Sequence, residues 1–195
     1  MSFKNELKNL TVQEKRKPKK SADHKWIMKI LVIAFMASLC MGFISEMTIP
    51  KASIFVGILI TLIFILVGIL FDIIGVSVTS ANPKVFHSMN SRKVKGADIA
   101  VKLTKNADKV SNFCCDVIGD VCGVISGSAA ASISVTIASN FGFNPFITSL
   151  IVTGLIASLT IGGKAIGKSY AINKSDIILF ETSKVISCFY KIKKN

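Results

Sequence analysis

Three aspartates lie inside or beside stretches that are otherwise apolar, and they are the residues of this chain best placed to do chemistry. Asp116 and Asp120 fall four apart in FCCDVIGDVCGVISGS, residues 113–128, a spacing that puts both on one face of a helix. Asp72 follows an uncharged run that begins at Ala52. A carboxylate embedded in hydrocarbon costs at least ~2.5 kcal/mol, so it normally faces a bundle interior or a watery cavity and marks the path of an ion or proton. Hydroxyls crowd the same regions, at Ser77, Thr79 and Ser80 and again at Ser126, Ser128 and Ser132. Oxygen ligands with one or two carboxylates are what a hard, strongly hydrated cation such as Mg2+ accepts. The candidate cation ligands are therefore Asp120, Ser77, Thr79 and Ser80, with Asp72 as an accessory charge. Two plainer roles compete: the acids can pair with lysines, and serines in membrane helices usually bond to their own backbone one turn back. Asp116 sits at the boundary, where water solvates it.

The elements that must position these groups follow from composition. The chain has 195 residues, is 51% hydrophobic with mean hydropathy +0.58, and still carries a net charge of +13. Apolar residues come in blocks too long for the core helices of a soluble globule, with basic residues between them. The expected class is an all-α membrane protein. Four segments are long enough to cross a core of ~30 Å at about 1.5 Å per residue: residues 26–45, 52–79, 117–139 and 145–163. Lys29, near the start of the first, can snorkel to the headgroups.

Lysine and arginine in the connections set the orientation. Residues 1–29 hold nine, residues 80–116 seven and residues 164–195 seven, whereas residues 45–52 hold only Lys51 and residues 140–144 none. Both termini and the long middle loop are expected in the cytoplasm of a multi-pass cell-membrane protein. The first 25 residues read as a basic tail able to touch anionic lipid, and residues 26–192 as one transmembrane domain. The polar lead is long and Leu39 occupies a place where a lipoprotein cleavage site wants a small residue, so the first span reads as a retained anchor. Because the basic residues lie in tails and loops beside apolar spans, nucleic acid is not an expected partner.

Between the second and third spans, residues 84–112 read as two short amphipathic helices broken near Gly96. Ile99, Val101, Leu103 and Val110 alternate with Lys102, Lys105 and Lys109, a pattern suited to lying in the membrane interface. Residues 172–192 repeat it with Ile177, Ile178, Phe180, Val185, Ile186 and Phe189. Gly119, Gly123, Gly127 and Ala131 recur every fourth residue on the third span, and Gly154, Ser158 and Gly162 on the fourth. Small residues let helix backbones touch in lipid, so these stripes serve intrachain packing, a homodimer seam, or both. The five cysteines form no C-x-x-C or Cys/His set, so a soft-metal site is not expected. By the topology most of them face the cytoplasmic side, where thiols stay reduced, so disulfides are not expected either. No G-x-S-x-G, H-E-x-x-H or P-loop occurs and no histidine lies inside a span; neither enzymatic activity nor a resident cofactor is expected.

Residues 71–133, FDIIGVSVTSANPKVFHSMNSRKVKGADIAVKLTKNADKVSNFCCDVIGDVCGVISGSAAASI, resemble the transmembrane domain of the CorB/CorC and cyclin-M (CNNM) magnesium transporter family. In that family a span ends in small and hydroxyl residues, a basic helical stretch follows, and the next span opens with I-G-N. Thr79 and Ser80, then Lys95, Gly96 and Ala97, then Ile118, Gly119 and Asp120 hold those places here. GGKAIGKSYAINKSDIILFETSKVISCFY, residues 162–190, is similar to the family's G-E-x-x-P-K segment and the interfacial helix after it, with Gly163 and Lys168 matching. The resemblance covers residues 53–192. It implies a dimeric membrane domain that moves Mg2+ or Co2+, held inside the bundle by serine, asparagine and backbone oxygens. The 195 residues leave no room for the paired CBS domains of many relatives, so nucleotide regulation is not expected.

The departures are specific. Lys164 stands where the family has glutamate, Gly167 where it has proline, and Asp120 where it has asparagine. Exchanging glutamate for lysine shifts the local charge by two units, of which Asp120 restores one. Two functions remain open: divalent-cation transport through a site rebuilt around Asp120, or a non-transporting membrane scaffold that keeps the fold and binds a partner through its basic collar.

Overall fold

A computed structural model of the chain describes residues 24–48 and 54–192. Among these the protein is all helix. In chain order it has α1 (His24–Thr48), α2 (Ile54–Ser80), α3 (Pro83–Ser91), α4 (Ala97–Lys105), α5 (Ala107–Asn112), a π-helical segment (Phe113–Gly119), α6 (Asp120–Phe141), α7 (Pro145–Asn173) and α8 (Ser175–Ile192). Residues 1–23, 49–53 and 193–195, among them the basic tail and the expected start of the second span at Ala52, lie outside the described residues.

Among the described residues three helices are long and apolar enough to cross a membrane: α2, the continuous stretch Ala107–Phe141, and α7. This marks the chain as a membrane protein. In α1 the corresponding apolar run is Ile27–Phe43, shorter than in the other three. Large apolar side chains stay exposed along α2 and α7, among them Phe55, Leu66, Leu155 and Ile161, as helices bathed in hydrocarbon require.

The boundaries differ from those expected from sequence. Residues 84–112 hold α3 and α4, separated around Gly96, and then α5, which runs without a break into the π segment and α6, so the third long helix starts ten residues before Val117. The polar residues of Ala107–Asn112 hide that continuity from a hydropathy reading. The fourth apolar stretch likewise continues past Gly163 to Asn173, because Lys164, Ala165 and Lys168 are helix formers that outweigh Gly167 and no proline intervenes.

Local chemistry accounts for the corners. Asn82 and Asn144 each precede a proline at the first helical position and accept a backbone N–H two residues on, from Lys84 at 3.1 Å and Phe146 at 3.0 Å. Gly142 ends α6 with φ +66°. Gly96 opens α4 with φ +90°, and a Cβ there would lie 3.1 Å from Lys184 Cα; both the left-handed conformation and the close backbone approach demand glycine.

α2 is the hub. α6, α7, the π segment, α5 and α8 pack against it, while α1 lies on α6 and the π segment. At one end Ala129 and Ile133 form a small core with Ile54, Ile137 and Val152. At the other, Val78, Ala81, Phe86, Ala100, Val101 and Leu179 form a second core from α2, α3, α4 and α8. The apolar residues Val101, Leu103, Val110 and Phe180 are thus spent on this collar core, whereas Ile177, Val185 and Ile186 remain exposed. Asp176 ties the collar to the bundle, accepting the Asn82 N–H at 2.8 Å.

Candidate functional site

Between the two cores, α2 meets the π segment and α6 through small residues running in opposite directions. A Cβ on Gly68 would touch Cys122 Cβ at 3.0 Å, and one on Gly75 would meet Cys115 Sγ at 2.5 Å and Cys114 Cβ at 3.2 Å. Between these contacts Asp72 faces Gly119, where a Cβ would lie only 2.8 Å from the carboxylate Oδ1. Hence Gly68, Asp72 and Gly75 form one face of α2, and Cys122, Gly119 and Cys115 form the opposing face. π-helical turns are rare and recur at functional sites; here one supplies two of the three opposing residues.

The third wall is α7, through the repeat Gly163-Lys164 and Gly167-Lys168. The glycines bring its backbone against α2: a Cβ on Gly163 would collide with the Ile69 Cδ1 methyl, and one on Gly167 would meet Ile73 Cγ1 at 3.0 Å. The lysine following each glycine then reaches an acid. Lys168 Nζ is 3.5 Å from Asp72 Oδ2, and Lys164 Nζ is 3.2 Å from Asp120 Oδ1 and donates to Gly119 O at 3.1 Å.

The two pairs differ in burial. The Asp72 side chain is 2% exposed against 48% for Lys168, whereas Asp120 is 70% exposed against 19% for Lys164. In one pair the acid is buried against an exposed lysine, and in the other a half-buried lysine faces an exposed acid. The Asp72–Lys168 contact is an ion pair by distance but lacks hydrogen-bond geometry, and Asp72 Oδ2 is buried without a donor. A buried acceptor in that condition carries an unrecovered desolvation cost. Cys115 Sγ also approaches the Asp72 carbonyl, at 3.7 Å.

The expected ligands are dispersed. Ser77 is fully buried on α2 and donates to Ile73 O at 2.7 Å; Thr79 donates to Val76 O at 2.9 Å and, like Ser80, is exposed. Ser126 and Ser132 bond one turn back, to Cys122 O and Ser128 O. Asp116 is exposed. Asp72, the accessory charge of the sequence reading, is the acid at the centre, and Asp120 stands at its rim. Among the described residues no three histidine, cysteine or acidic side chains gather as a metal group would. Sequence reasoning weighed Lys164 only as a family departure and passed over Lys168 as a partner for Asp72. The signal was present in GKAIGK (163–168), where glycine and lysine each repeat after four residues. Likewise Gly68, Asp72 and Gly75 have helical spacing on a single face.

Set against known proteins, the chain matches no family model, no curated protein and no solved structure.

Proposed function

We propose that this protein is a divalent-cation transport domain of the cell membrane in which Asp72 is the acid that meets the ion and Lys168 is the internal cation holding its place. One observation carries the reading: a carboxylate buried within an apolar span has an oxygen without a hydrogen-bond donor, balanced by a half-exposed lysine at 3.5 Å. Charged groups inside spans are costly and are kept for ion and proton paths. A hydrated Mg2+ or Co2+ arriving from the wet side competes with the Lys168 ammonium for Oδ2, and the long lysine stem lets the ammonium swing into water when it loses. On release of the ion the ammonium returns, so the carboxylate is never left bare. Asp120 then serves as counter-charge to Lys164, and Ser77 lies one to two turns along α2. The reading includes α1 as a first crossing, both termini in the cytoplasm, and a homodimer joined along the small-residue faces.

The test is Mg2+ flux into liposomes holding a Mg2+-sensitive dye. Wild type should exceed empty liposomes, Asp72→Asn should fall to their level, and Asp120→Asn should retain most of the flux. A second reading is favoured by the balance of charge, two acids against two lysines: a non-transporting scaffold that uses the pairs to lock its helices and its basic collar to hold a partner. Wild-type flux at the level of empty liposomes would leave that reading standing and remove the first.

A further inference from the structure

The Lys164 ammonium is held in an unusual way for a lysine beside an exposed acid. Surface pairs normally keep both charges in water, yet here Asp120 stays 70% exposed while the lysine is drawn in to 19%. What draws it is the Gly119 carbonyl at 3.1 Å, at the junction of the π segment with α6. A Cβ on Gly119 would stand in ordinary contact with Nζ at 3.5 Å but only 2.8 Å from Asp72 Oδ1, so the missing side chain is what lets the Asp72 carboxylate approach the same backbone position that the ammonium holds. A backbone carbonyl, a carboxylate oxygen and a nearby buried carboxylate are the ligand chemistry of hard cations, and an ammonium of one positive charge with three N–H donors is satisfied by the same oxygens.

We infer that Lys164 is a tethered cation occupying a small monovalent-cation slot, and that removing its side chain exposes a binding site for a free ammonium-sized ion. The slot consists of Gly119 O and Asp120 Oδ1, with the negative charge of Asp72 on the far side of Gly119. Methylammonium, ammonium and K+ can each meet two oxygens at close range, whereas choline, a quaternary ammonium, has no N–H to donate to them. The slot does not depend on transport. Lost flux with intact rescue would sink only the transport proposal, and intact flux without rescue only this one.

The experiment uses the full chain in detergent with the exposed Cys40 and Cys188 replaced by serine, following heat-driven unmasking of the buried thiols Cys114 and Cys122 with a thiol-reactive dye. Lys164→Gly lowers the midpoint. At equal ionic strength, about 100 mM methylammonium chloride in place of choline chloride raises it again by roughly 2–4 °C, whereas wild type shows no difference between the two salts. Lys164→Ala, which retains helix propensity, behaves in the same way. Equal midpoints in both salts, or an equal methylammonium effect on wild type, would overturn the inference. Recovery of either variant in folded form only with methylammonium present supports it, and failure to recover both in either salt counts against it.

Discussion

Gly68, Gly75, Gly119, Gly163 and Gly167 line the seams between α2 and its neighbours, where an added Cβ would meet another chain segment at once; Gly123, Gly127, Gly154 and Gly162 would meet nothing within 4 Å. Gly162 and Gly163 are adjacent in sequence and fall on opposite sides of that division. In lipid no hydrophobic force draws helices together, so the backbone contacts that small residues permit must supply the attraction. The inner set also shapes a space for charge: three of its members surround Asp72 on α2 and across from it, and the other two bring Lys164 and Lys168 into reach. The lesson is that a four-residue recurrence of glycine identifies a narrow stripe on a helix, while what stands opposite decides its role.

The comparison is broken most directly at Gly119. Gly119→Val places two branches where one Cβ already falls 2.8 Å from Asp72 Oδ1 and 3.5 Å from Lys164 Nζ. The Asp72 carboxylate is short and buried and the Cys114 carbonyl lies 3.4 Å from the same Cβ, so there is little room to give way, and overpacking of this kind costs about 1–3 kcal/mol. The thiol-unmasking midpoint should fall by several degrees. A midpoint within a degree of wild type would mean that the seam is looser than its distances.

Next in size is the contrast between the two ion pairs. Lys168→Met keeps the stem and removes the charge, leaving Asp72 buried with its nearest counter-charge gone. Breaking a buried pair costs several kcal/mol, reduced here to about 2 kcal/mol because Lys168 is half exposed. Asp120→Ala removes an exposed partner and should cost less than about 1 kcal/mol, since Lys164 keeps the Gly119 carbonyl. Equal losses in the two variants would erase the distinction between a central acid and a rim acid.

These residues also show what was legible in the sequence. Helices and long apolar stretches followed from uncharged runs such as 54–71, where composition alone decides the environment. Embedded acids were recognisable as unusual for the same reason. Rank among them was not, because Asp120 lies in the more familiar motif, and the π-helical segment Phe113–Gly119 shifts the facing of the residues before it relative to those after it. No propensity marks the π turn at Phe113–Gly119. Nor does periodicity reveal that α5 joins α6, since Lys109 and Asp108 are polar on a helix whose partner, α2, lies far off in sequence. The lysines were assigned to the cytoplasmic side by the charge rule, which counts them without asking whether an acid stands one helix away.

The smallest effect belongs to the outer glycines, and its sign is the informative part. At Gly123 and Gly127 a methyl group meets no atom of the same chain, so Ala should gain the helix propensity that glycine forgoes, about 0.5–1 kcal/mol at each position. In a monomer the double variant Gly123→Ala/Gly127→Ala would therefore raise the unmasking midpoint. The proposed homodimer sets the opposite expectation for Gly127→Leu alone: a bulky side chain on the contact face should shift the mass in detergent, by light scattering, from two copies to one. The pairing of these measurements matters. Stabilisation by alanine with no change of mass in the leucine variant would mean that the outer stripe faces lipid and that the seam around Asp72 is where small residues serve packing. A drop in mass would instead give the outer stripe the same role between copies that Gly119 and Gly163 have within one.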